Sequence, residues 1–213
     1  TRVVDGLLGA SVGLLFSQVL FTSNPFSDIG RSTSDFLRQL GNGMDRMLRA
    51  CEVQSSKGAE AALSQLSDGE SALAALRAAV AEAQVSKRWS LRVGLHAERI
   101  NIVTQRYDRH AIRVYATSLL LAESISRAMS HTHTPPPAAV MTYCQWLSDN
   151  CMELARQSTV FVLKESAPQA YMGKQPQSTI YKCDILPPEW LIVEDNAKQL
   201  EYALQVLLCS RDA

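Results

Sequence analysis

The run Val3–Phe21, VVDGLLGASVGLLFSQVLF, constrains this chain more than any other segment. Only Asp5 and Gln18 are strongly polar within it, and neither proline nor lysine interrupts it. At about 1.5 Å per helical residue the run reaches roughly 29 Å, close to the hydrocarbon thickness of a bilayer. Gly9, Gly13 and Ser17 recur every four residues, a small-residue ladder along which a second helix backbone can approach closely. Residues 1–22 therefore read as a transmembrane helix. The alternative is a helix buried in a soluble bundle, where the glycines serve tight packing. A secretory signal is a poor fit, because Asp5 stands where basic residues belong and the chain opens on Thr1. The expectation is a piece of a longer protein that starts just before a membrane helix. An acidic residue inside a span usually faces a bundle interior or a pathway, which makes Asp5 a candidate functional position. Near a helix end it can instead sit at the interface with no special role. Arg31, Arg38, Arg46 and Arg49 follow the run and only Arg2 precedes it, a bias that favours the cytoplasmic side for the rest of the chain.

Beyond this run the averages are those of a globular chain. There are 213 residues, 46% hydrophobic, with 21 Lys+Arg balancing 21 Asp+Glu. The length can bury a real core, and the balanced charge argues against a nucleic-acid partner, which would call for a basic face. Five cysteines (Cys51, Cys144, Cys151, Cys183 and Cys209) are odd in number and widely spaced, unlike a secreted disulfide scaffold.

The organisation reads as all-α, with an N-terminal apolar helix followed by a bundle of long amphipathic helices. Asn24 is a good N-cap and Pro25 suits a first helical position. From there Phe26, Ile29, Phe36, Leu37, Leu40, Met44, Met47, Leu48 and Cys51 recur at helical spacing to about Val53. Gly41 and Gly43 in the middle are expected to mark a bend. Ser55–Gly58 reads as a turn. One helix is expected over Ala59–Val85, with Leu66, Leu73 and Val80 seven apart and Leu63 and Leu76 between them. Another is expected over Leu91–Met129, where Ile100, Tyr107, Val114, Leu121 and Ala128 repeat every seven residues. These helices form a unit over 24–131. The segment 132–137, ending in three prolines, reads as a linker. The C-terminal unit, 138–213, starts with a helix over Ala138–Phe161. An irregular stretch follows at about 164–187, and a last helix opens at Pro187-Pro188-Glu189.

Candidate chemistry is sparse. His131-x-His133 could hold a metal with Cys144 or Cys151, but the spacing is unlike that of a structural zinc site, and a solvated loop is the reading adopted. His96 and His110 lie on the apolar seam of their helix and are expected in the core. Arg99, Arg106, Arg109 and Arg113 could attract an anionic ligand or lipid headgroups. Glu98 and Asp108 are interleaved with them, which favours a solvated face. No nucleophile elbow, phosphate loop, HExxH or CxxC pattern is present, so neither catalysis nor a cofactor or metal is expected.

The stretch Arg2-Val-Val-Asp5-Gly-Leu-Leu-Gly9-Ala-Ser-Val-Gly13, followed by Asn24-Pro25 and a long amphipathic helix, resembles the fusaric acid resistance and aromatic acid exporter superfamily. The helices to about residue 130, including Ile102-Val-Thr-Gln-Arg-Tyr-Asp108-Arg-His-Ala-Ile-Arg113, are similar to those that follow there. The resemblance implies an efflux protein for aromatic or other organic acids, driven by the proton motive force. Residues 1–22 would be its last membrane helix and the rest a cytoplasmic helical domain. It implies that Arg2 and Asp5 match the charged pair opening that helix. Its remaining transmembrane helices, membrane lipid and further copies of the chain would be the partners. The other membrane helices are absent here, so transport by this stretch alone is not implied. A soluble helical interaction module is the other reading of the same residues.

Overall fold

A computed structural model describes residues 25–89, 97–131, 135–163 and 186–208, together with Gly6 and Gly13. Six helices lie among them: α1 (Pro25–Glu52), α2 (Ser56–Ser67), α3 (Glu70–Trp89), α4 (Ala97–His131), α5 (Ala138–Leu163) and α6 (Pro188–Leu208). No strand occurs among the described residues, and the described chain is all-α.

Sequence pattern and burial agree closely in α1. Every apolar residue of its expected stripe, from Phe26 to Cys51, is buried. The helix ends in a tight reversal. Gln54 adopts a left-handed φ of 53°, and Ser55 N–H reaches back to Ala50 O at 2.9 Å, satisfying a carbonyl left open at the helix end. Ser55 then caps α2, its Oγ accepting the Gly58 N–H at 3.1 Å. Ser56–Gly58, expected in a turn, therefore form the first turn of α2.

The single helix expected over Ala59–Val85 is two. Asp68 N–H bonds to Ser64 O at 3.1 Å and Gly69 N–H to Leu66 O at 3.0 Å, which tightens and closes α2. A Cβ on Gly69 would stand 2.8 Å from the Leu66 carbonyl oxygen, so glycine permits the turn. Tyr115 of α4 donates its hydroxyl to Ser67 O at 2.9 Å and satisfies another terminal carbonyl. The seven-residue pattern still describes burial, since Leu66, Leu73, Leu76 and Val80 are all interior.

The helices close a bundle. α1 lies along α5, α4 lies along α6, and α2 and α3 bridge α1 to α4 on one side. On the other side α5 meets α6, where the Tyr143 hydroxyl hydrogen-bonds to Glu201. Helices after the prolines thus pack on helices before them, and one core cluster draws on both. At its centre Met44, Met47, Leu66, Leu121, Ile125 and Cys144 surround a void of only about 10 Å³, room for at most one water.

Gly41 and Gly43 sit where neighbouring helices come close. A Cβ at Gly41 would come within 2.9 Å of the Met152 side chain on α5, and one at Gly43 within 2.5 Å of Leu66 on α2. Both glycines allow neighbouring helices to approach closely.

Among the described residues no helix is long and apolar enough to cross a membrane. Apart from Gly6 and Gly13, both helical and exposed, the expected span at residues 1–22 lies outside the described residues.

Candidate functional site

Of the residues singled out in the N-terminal run, Gly13 is helical and has nothing within 4 Å of a would-be Cβ. Arg2, Asp5, Gly9 and Ser17 lie outside the described residues, as do His96 and His133. His131 ends α4 and is exposed. No group of three His, Cys, Asp or Glu side chains that could hold a metal ion occurs among the described residues.

Three thiols are interior. Cys51, Cys144 and Cys151 are all free and buried. Cys51 Sγ donates to Met129 Sδ at 3.3 Å. Burial pushes each thiol up to about 12; Glu52 adds to the effect at Cys51, and Cys51 adds to it at Cys144. A thiol so placed stays protonated near neutral pH and behaves as a small apolar side chain.

The hydroxyls of the α1–α5 seam are committed as well. Ser148 Oγ donates to Gly41 O at 3.0 Å, Ser158 Oγ to Gly30 O at 2.9 Å, and Ser34 Oγ to Ala155 O at 2.7 Å. The partners' numbers rise on one helix as they fall on the other, so the pair is antiparallel. Each hydroxyl satisfies its own hydrogen-bonding need against a neighbouring backbone.

α4 carries the most distinctive surface. Its inner side buries Ile100, Val103, Tyr107, Val114, Leu121, Ile125 and Ala128, as the sequence pattern requires. The outer side presents Arg109 and Arg113 fully and Arg106 in part. Tyr202 of α6 receives the Arg113 guanidinium 5.2 Å above its ring centre, within range for a cation–π contact. Asp108 turns aside and pairs with Arg77 of α3 at 3.8 Å. His110, expected in the core, is only half-buried on the flank of this face. Its pKa is lowered first by burial and then by Arg113, Arg109 and Arg106, whose charges disfavour a further proton.

Two open grooves complete the surface. One, of about 430 Å³, lies between the end of α1 and the start of α5, with Leu48, Met141 and Trp146 as floor and Glu52 and Asp149 at its edge. The other, of about 340 Å³, lies between the end of α4 and the start of α6. There Leu120 and Ile192 meet Glu123, Arg127, Glu189 and Asn196, with Glu123 and Arg127 ion-paired to each other. Sequence reasoning missed Tyr202 and both grooves. Each joins residues remote in sequence, and a tyrosine in a helical pattern carries no sign of the cation it will meet.

Comparison with protein-family models, with curated proteins and with solved structures found no match.

Proposed function

We propose that the chain is part of an inner-membrane efflux transporter for aromatic or other organic acids. In this reading the bundle is its cytoplasmic scaffold, an oligomerisation or regulatory part with no catalysis of its own. The observation that carries the reading is the pattern Arg2-x-x-Asp5-x-x-x-Gly9-x-x-x-Gly13, which leads through Asn24-Pro25 into α1. The bundle's chemistry is compatible with a scaffold, because its buried thiols are protonated and its seam hydroxyls are bonded to backbone. Residues 1–22 would be the membrane helix, with Arg2 and Asp5 on the transport pathway. Gly9, Gly13 and Ser17 would pack against the transporter's remaining helices.

The other reading of the same residues is a soluble helical interaction module, in which the apolar run packs against the bundle. Deleting residues 1–22 separates the two readings. The scaffold reading predicts that residues 23–213 keep their helical circular dichroism and a cooperative melt. If the deletion abolishes that melt, the apolar run belongs to the bundle core and the transporter reading fails.

A further inference from the structure

The outward face of α4 raises a question the scaffold role leaves open. Between Ile102 and Leu120 this face mixes three arginines with large apolar side chains in water: Ile102 is 46% exposed, Ile112 50% and Leu120 48%. They do not stand alone, since at 100° per residue Ile102, Arg106, Arg109, Ile112, Arg113 and Leu120 fall on one side of the helix. Tyr202, 55% exposed, extends the patch onto α6.

The charge on this face is uncompensated. Among the described residues no carboxylate lies within ion-pair distance of Arg106, Arg109 or Arg113. Asp108, the sole acidic residue of α4 between Glu98 and Glu123, is engaged by Arg77. Glu123 is engaged by Arg127, while Glu98 lies one turn beyond Ile102. A solvated face, the role expected from the interleaved acids, would not need three arginines without partners beside exposed isoleucines.

We infer that the Ile102–Leu120 face of α4, extended by Tyr202, docks on the anionic lipid surface of a membrane. Charge complementarity selects this occupant. Arginines with long apolar stems can reach phosphates while isoleucine, leucine and tyrosine enter the headgroup boundary. Each guanidinium near an anionic leaflet strengthens attachment about fivefold. The inference rests on α4 and α6 alone and stands whether or not residues 1–22 span a membrane.

The test uses the full chain with vesicles that carry a photoreactive phospholipid. One set is phosphatidylcholine alone and the other also contains phosphatidylglycerol. Mass spectrometry should locate lipid adducts within 102–120 in the anionic vesicles, and those adducts should fade as salt screens the charges. Arg109→Gln should reduce α4 attachment about fivefold, and the triple variant R106Q/R109Q/R113Q should reduce it to the neutral-vesicle level. Ile112→Asn, an exposed change that leaves helical circular dichroism intact, should also weaken it. Equal labelling of α4 in both vesicle types, or labelling unchanged in the triple variant, would overturn the inference. So would capture of this face by an added acidic peptide with no lipid adduct at all. Flotation with the neutral vesicles reports residues 1–22 separately, so failure of the span and failure of the docking face are distinguishable.

Discussion

The helix pairs α1–α5 and α4–α6 are both antiparallel, and both join a segment before the triproline to one after it. Their seams differ in chemistry. Along α1–α5, glycine, alanine and serine meet, and serine hydroxyls from both helices bond across to backbone carbonyls. Small residues bring the backbones close, and little polar capacity is left over. The α4–α6 pair looks outward as well as inward. Trp190 is sunk in the core, Arg113 stacks on Tyr202, and a groove of about 340 Å³ stays open near the α6 start. One pair spends its side chains on itself, while the other keeps cations and apolar groups facing outward.

That contrast can be broken most severely at Trp190. Replacing this fully buried side chain by alanine should cost about 3–5 kcal/mol. Urea unfolding would read the loss, and a cost below 1 kcal/mol would mean that the α4–α6 seam does not depend on its large anchor. On the other pair, Gly41→Val should cost about 2 kcal/mol, because its Cβ would press on Met152. If the melt is unchanged, close approach is not what holds α1 to α5.

The buried thiols give the pair an alkaline weakness. Their folded values, raised to about 12 from the ordinary 9.0, keep them protonated where the unfolded chain has already lost its protons. The unfolded state then binds fewer protons, so stability is intact below pH 9 and falls as pH rises towards 12. The expected slope is about 1.4 kcal/mol per pH unit for each thiol. Urea midpoints measured across that range should fall less steeply in a Cys144→Ala, Cys151→Ala variant.

Smaller effects sharpen the same comparison. Ser148→Ala removes one cross-helix hydrogen bond and should cost about 1 kcal/mol. Tyr202→Ala removes the stacking partner of an exposed arginine and should cost about 0.5 kcal/mol of stability. A double-mutant cycle with Arg113→Gln would isolate that contact.

Much of the fold is legible in the sequence because burial follows periodicity. The seven-residue series from Ile100 to Ala128 is buried throughout, and Asn24-Pro25 and Pro187-Pro188 stand where α1 and α6 begin. The break at Asp68-Gly69 is less visible, since the apolar register continues across it in a second helix. The purpose of Gly41 was hidden for another reason. Its contact, Met152, lies more than a hundred residues away, and no local pattern names that partner. His110 shares a flank with the seam, yet periodicity alone does not separate a half-buried flank from the core. The candidate surface was half legible. The arginines are plain in sequence, but the pairing of Asp108 with Arg77 on another helix is not, since no local pattern names that partner.

Alkaline carbonate extraction of membranes from bacteria expressing the full chain tests the central proposal most directly. The account predicts that the chain stays in the membrane pellet after extraction and that a chain lacking residues 1–22 is released. A full-length chain recovered as a soluble monomer would contradict it.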